Sequence, residues 1–152
     1  MESSIRAAAS SGRPPRLKAP PGACDCHFHV YGPPGRFPIP GKAAAPDAPL
    51  EAYLDLRRRL GLSRGVFVQP SAYGTDNACT LDAIARTAPG ARGIAIIDPA
   101  APDAELARLH AGGIRGIRFH DMVAGCVPLT ALEPLAGRLA DFGWHVQVQT
   151  EG

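Results

Sequence analysis

The stretch Ala23-Cys24-Asp25-Cys26-His27-Phe28-His29-Val30, followed by Tyr31-Gly32-Pro33-Pro34, decides how the chain is read. Side chains alternate across a strand, with a period of two. A strand over 23–30 therefore places Asp25, His27 and His29 on one face and Cys24, Cys26, Phe28 and Val30 on the other. A doubly wound dinucleotide-binding domain carries a glycine fingerprint directly after its first strand. Here the strand runs into Tyr-Gly-Pro-Pro instead, which counts against that fold.

Outward from this stretch one pattern recurs: a short run rich in Val, Ile or aromatics, a Gly/Pro loop, then an amphipathic segment closing at glycine. Further strands are expected at 65–69, 93–97, 116–120 and 145–149. Helices are expected at 50–60, 77–88, 103–111 and 130–142. Leu50, Tyr53, Leu54 and Leu60 share one side of the first helix, and Gly61 stands where a C-terminal cap belongs. Thr75 or Asp76 caps the second, and the third starts after Pro102 with acidic residues in its first turn. Pro134 weakens the start of the fourth and Gly143 ends it. Such alternation implies an α/β fold with a parallel sheet. A complete (β/α)8 barrel takes about 250 residues, and this chain has 152. The expected architecture is the N-terminal five-strand portion of a (β/α)8 TIM barrel over 23–152. Residues 1–22, mixing Ser, Ala, Arg and Pro without a period, read as a mobile arm.

Composition narrows the partners. With 16 basic and 14 acidic residues interspersed and a net charge of +2, the chain lacks the clustered cationic footprint of a nucleic-acid or anionic-membrane binder. No apolar run approaches the roughly 20 residues of a membrane span, and no leader segment is visible, so a cytoplasmic location is expected. The four cysteines make no disulfide framework: Cys24 and Cys26 are too close to bridge without strain, and Cys79 and Cys126 are isolated. Free thiols are expected.

Two imidazoles at i and i+2 of a strand converge on one point, and at the mouth of a barrel that point is where active sites lie. Paired imidazole nitrogens suit a divalent ion such as Zn²⁺ or Mn²⁺. Arg118 alternates with Ile117 and Phe119 and is expected to face the barrel interior. A substrate carboxylate is its natural partner, with an ion pair to Asp25 as the rival. His120 shares the parity of Arg118. Gln147, Gln149 and Glu151 form the inward face of the last strand, with Glu151 a metal ligand, a base or a fixed charge. Arg115 reads as solvated, His110 as a favourable charge at a helix C-terminus, and His145 as structural.

Five ordered blocks carry a family resemblance: His27-Phe28-His29-Val30-Tyr31-Gly32-Pro33 with Phe37-Pro38, Val68 to Asn77, Gly93 to Pro99, Arg115 to Phe119, and Trp144 to Val148. The chain resembles the amidohydrolase-2 branch of the amidohydrolase superfamily, on its lactonase side. The resemblance implies a hydrolase in which activated water opens a carboxylated lactone or similar cyclic ester. It implies His27 and His29 as catalytic or metal-binding residues, with Ser71, Arg118, His120 and Gln149 as substrate contacts. It leaves open a mechanism in which the histidines contact substrate without metal. It further places another catalytic histidine and an aspartate on later strands, so these 152 residues alone are expected to be inactive.

Ala124 and Gln149 stand where dicarboxylate-cleaving members of that branch carry an arginine and a tyrosine, which favours a substrate with a single carboxylate. Two other readings stay open. One is a decarboxylase of the same branch, acting on an aromatic or unsaturated acid; the other is a half-barrel that binds without turnover. Open strand edges lead us to expect self-association.

Overall fold

The computed structural model describes residues 15–41, 46–120 and 127–150. The described strands are β1 (Cys24–Phe28), β2 (Arg64–Val68), β3 (Ala91–Ala95), β4 (Ile114–His120) and β5 (His145–Gln149). Helices α1 (Leu50–Leu60), α2 (Ala78–Thr87), α3 (Asp103–Ala111) and α4 (Leu132–Asp141) alternate with them, with short 3-10 turns at Ser71–Tyr73 and Leu129–Ala131.

Every pairing is parallel and the order is β1-β2-β3-β4-β5. A doubly wound sheet reverses its order at a switch point, and this one does not. With crossovers of one hand, a strictly sequential order returns each helix to the same face. That is the construction of a barrel wall, and it leaves β1 and β5 as the two edges.

The core lies between that face and the helices. Phe67, Leu106, Leu109, Ile114, Ile117 and Phe119 are fully buried there, joined by Leu135 and Leu139 of α4. Each such side chain contributes about 1.5–3 kcal/mol of transfer free energy. The expected glycine stop holds: Gly61 takes a φ of 71° while its N–H and that of Leu62 return to the carbonyls of Arg58 and Arg57. Asp76 caps α2 by accepting the Ala78 N–H at 3.0 Å. Among the described residues no helix is long and apolar enough to cross a membrane. Cys24, Cys26 and Cys79 are free thiols, and Cys126 lies outside the described residues.

Some boundaries depart from the sequence reading for local reasons. β3 stops at Ala95 although Ile96 and Ile97 are buried. The Asn77 side chain replaces the ladder there, accepting the Ile96 N–H at 3.2 Å and donating to its carbonyl at 2.8 Å. The helix expected from residue 130 begins at Leu132, because Leu129–Ala131 form a 3-10 turn first. Part of the segment expected to be mobile is held at its end: Arg64 Nε donates to the Gly22 carbonyl at 2.6 Å, and Ala23 N–H to that of Pro20 at 3.0 Å. Residues 1–14 lie outside the described set.

Candidate active site

The first strand does not keep one alternation along its length. Asp25 pairs with Gly65 and Phe28 with Phe67, so three steps on β1 match two on β2. This is a β-bulge, which inserts one residue and shifts the side-chain parity. Asp25 consequently shares the helix-facing side with Phe28 instead of the face of the histidines, and Cys24 no longer shares the side of Phe28. The Asp25 carboxylate accepts the His27 N–H at 3.2 Å and the Tyr53 hydroxyl of α1 at 3.4 Å. Burial first, then the Asp25 charge, pushes the Tyr53 phenol far up, which keeps it a donor. Phe28 stacks on Tyr53 with centroids 3.5 Å apart, and Gly65 has no side chain because a Cβ there would lie 2.9 Å from the Phe28 ring.

Beyond the bulge His27 and His29 meet as expected, edge to face, with ring centroids 5.2 Å apart. His29 Nδ1 lies 2.8 Å from the Val68 carbonyl, which fixes the tautomer: Nδ1–H donates and Nε2 keeps its lone pair. His27 lines an open cleft of about 480 Å³ together with Arg118, Gln147, Val148 and Gln149. Arg118 is only 7% exposed and donates to Gln149 Oε1. The rival pairing of Arg118 with Asp25 fails because the bulge has turned Asp25 to the other side. His120 is buried and, by the β4–β5 register, sits beside Gln149.

Electrostatics keep both rings neutral near pH 7. Burial holds the His27 imidazole below the ordinary value of 6.5, the His29 and Arg118 charges add to this, and Asp25 opposes it weakly. Burial also lowers His29; its bond to the Val68 carbonyl pulls the other way, and the Arg118 charge lowers it further.

Other expected residues fall elsewhere. Ser71 opens a 3-10 turn beyond β2 and is not among the residues lining the cleft. The polar residues of that loop act as fasteners, which the sequence reading missed: buried Gln69 donates to the carbonyls of Gly74 (3.2 Å) and Asp76 (2.7 Å) and accepts from Thr80. Arg115 is not simply solvated; Nη1 reaches the carbonyls of His110 and Ile114 at 2.7 and 2.6 Å. His110 is not a free helix-end charge either, since its Nδ1 accepts the Trp144 indole N–H at 3.0 Å. Glu151 lies outside the described residues. A second cavity of about 490 Å³, between the loop after β1 and α2, has no imidazole in its lining, and its Arg36 and Arg86 are paired with Asp82 and Glu51.

The profile of the amidohydrolase family matches residues 24–151. The chain belongs to the amidohydrolase family. It is 40% identical over 141 residues to the 2-pyrone-4,6-dicarboxylate hydrolase of Comamonas testosteroni, covering 90% of this chain and 46% of that protein. It is 43% identical over 136 residues to the 4-sulfomuconolactone hydrolase of Rhizobium radiobacter, covering 85% of this chain and 45% of that one. The crystal structure of an Agrobacterium tumefaciens protein in its apo form matches with a TM-score of 0.82 at 33% identity, over 93% of this chain and 51% of that one. This amidohydrolase chain thus spans about half the length of the curated relatives it matches. Its sequential five-stranded sheet is the corresponding part of a TIM barrel.

The donor set of this amidohydrolase fits a divalent ion in part. His29 offers Nε2 while its other nitrogen is bonded to a backbone carbonyl, the usual arrangement of a metal-bound imidazole. His27 adds a second neutral imidazole. Among the described residues no third His, Cys, Asp or Glu joins them.

Proposed function

We propose that the intact protein hydrolyses a lactone that carries a carboxylate. The observation that carries this reading is one cleft lined by both a nearly buried guanidinium and His27, whose ring meets that of His29 edge to face. The lactones named for the two curated hydrolase relatives support the substrate class.

Arg118 binds the substrate carboxylate through its planar fork, and Gln149 holds that fork in place. His29 presents a lone pair at Nε2 and takes a proton from the attacking water. The water oxygen bonds to the lactone carbonyl carbon, the ring C–O bond breaks, and the proton passes to the departing alkoxide. His27, neutral beside it, donates a hydrogen bond to the oxyanion that develops on the carbonyl. A divalent ion such as Zn²⁺ or Mn²⁺, if held by His27 and His29, would occupy the Nε2 lone pair of His29 and would supply Lewis-acid activation in place of that proton transfer.

The test compares wild type with Arg118→Met on a carboxylated lactone and on its neutral methyl ester. Loss of a charged hydrogen-bonding partner costs about 1.5–3 kcal/mol, roughly 10–150-fold in kcat/KM. The expected loss falls on the acid alone. Equal loss on both substrates, or no ring opening by the intact wild type across a panel of carboxylated lactones, overturns the reading.

A further inference from the structure

Gln69, the residue after β2, is fully buried and is not among the residues lining the cleft. Its side-chain amide uses both N–H donors, on the carbonyls of Gly74 at 3.2 Å and Asp76 at 2.7 Å, and its oxygen accepts the hydroxyl of Thr80, itself fully buried. The terminal torsion of a glutamine is broad, but this amide cannot turn without stranding buried polar groups.

Two lines run from this residue to His29. The first is covalent. The Val68 carbonyl that accepts His29 Nδ1–H at 2.8 Å belongs to the same planar peptide unit as the Gln69 N–H, which donates to the Ile94 carbonyl at 2.9 Å. Turning residue 69 therefore turns the acceptor that sets the tautomer. The second line passes through the loop that the Gln69 amide fastens. Buried Tyr73 sits in that loop, and its hydroxyl accepts the Gly32 N–H at 3.1 Å, on the chain just beyond His29. Strand β1 ends at Phe28, so His29 lies past its regular pairing and depends on contacts of this kind. We infer that Gln69 is a positioning residue: it holds the Val68 carbonyl where that oxygen captures Nδ1–H of His29, and so keeps Nε2 unprotonated. This rests on the proposed hydrolysis, in which His29 takes the proton of water at Nε2.

The experiment uses the intact protein and two variants. Gln69→Glu keeps the size of the side chain and its acceptor for Thr80 but sets an oxygen against the carbonyls of Gly74 and Asp76. Thr80→Val removes a single bond and leaves residue 69 in place. Long-range proton–nitrogen NMR correlations read the His29 tautomer, at a pH where the rings are neutral and after chelation so that no ion holds Nε2. Wild type should show the Nδ1–H form alone. A neutral imidazole without an acceptor at Nδ1 favours the Nε2–H form in water, so that form should appear in Gln69→Glu and, in smaller share, in Thr80→Val. Lactone opening by Gln69→Glu should lose roughly 10–100-fold in kcat, with KM nearly unchanged. A merely structural role would lower the unfolding midpoint and leave the tautomer of the folded chain as it was. An unchanged tautomer in folded Gln69→Glu overturns the inference, and where that variant does not fold, an unchanged tautomer in Thr80→Val does so. A loss confined to KM overturns it as well. The tautomer is read without substrate, which separates it from turnover. A tautomer change beside a wild type that opens no lactone overturns the proposed reaction alone, and lactone opening with unchanged tautomers in the variants overturns this inference alone.

Discussion

β1 and β4 face each other across the cleft and are built differently. β4 has a neighbour on each side, and from Gly116 to His120 it runs in unbroken register with β5. Its one irregularity, against β3, falls between Ile114 and Gly116, where Arg115 is the extra residue and turns to the carbonyl of His110. β1 is an edge strand paired only with β2, and its extra residue falls between Asp25 and Phe28. Both strands therefore carry a bulge, and what separates them is where it lies. In β4 it precedes Arg118 and His120 and leaves their shared face intact. In β1 it lies among the polar residues and splits Asp25 from the two histidines. A bulge at an edge re-aims side chains at little cost to the ladder, and such placement next to sites is common.

If β4 is chiefly a core strand and β1 chiefly a site strand, truncations should separate them. Phe119→Ala removes a fully buried ring and should cost about 3–5 kcal/mol, whereas Phe28→Ala, half-buried on the edge, should cost clearly less. Denaturant unfolding of the intact variants measures both, and equal losses would erase the contrast. The histidines should show the reverse. His27→Ala and His29→Ala should each lower kcat by roughly 10²–10⁴-fold with little change in the unfolding midpoint.

Asp25 tests the bulge itself. Facing Tyr53, it should matter for stability by about 1 kcal/mol in Asp25→Ala, through the lost acceptor for the His27 N–H, while kcat stays within a few-fold. A collapse of kcat in a well-folded Asp25→Asn variant would put the carboxylate back among the catalytic groups. The smallest effect is in pH. The folded chain resists protonating His27 and His29, whose values lie below 6.5, while the unfolded chain takes up those protons near 6.5. The unfolded state then binds more protons, so their share of stability is complete above 6.5 and is lost as pH falls below it. Activity that needs neutral rings should keep its acid limb below 6.5, and Arg118→Met, which removes a nearby cation, should move that limb upward. A pH–rate profile of the intact protein reads the shift.

Much of the fold was legible because its determinants are local. Gly61 ends α1 as expected, Asp76 caps α2, and β5 occupies the anticipated residues, since left-handed glycine, caps and alternation act over a few residues. The imidazole pair and the buried Arg118 were legible for the same reason: each depends on alternation within an uninterrupted stretch. The Asn77 side chain that ends β3 and the Gln69 bonds that fasten the next loop were not, because their partners lie in other elements or depend on how the loop closes.

The amino-acid sequence by itself determined the strand and helix succession, the parallel class of the sheet and the two histidines on one face, because periodicity and turn chemistry are written residue by residue. Only the tertiary structure decided that Asp25 faces Tyr53, that Arg118 meets Gln149, and that Asn77 takes over the ladder at Ile96. Each of these depends on how one element is set against its neighbour, and that setting is decided by the packing of elements distant in sequence.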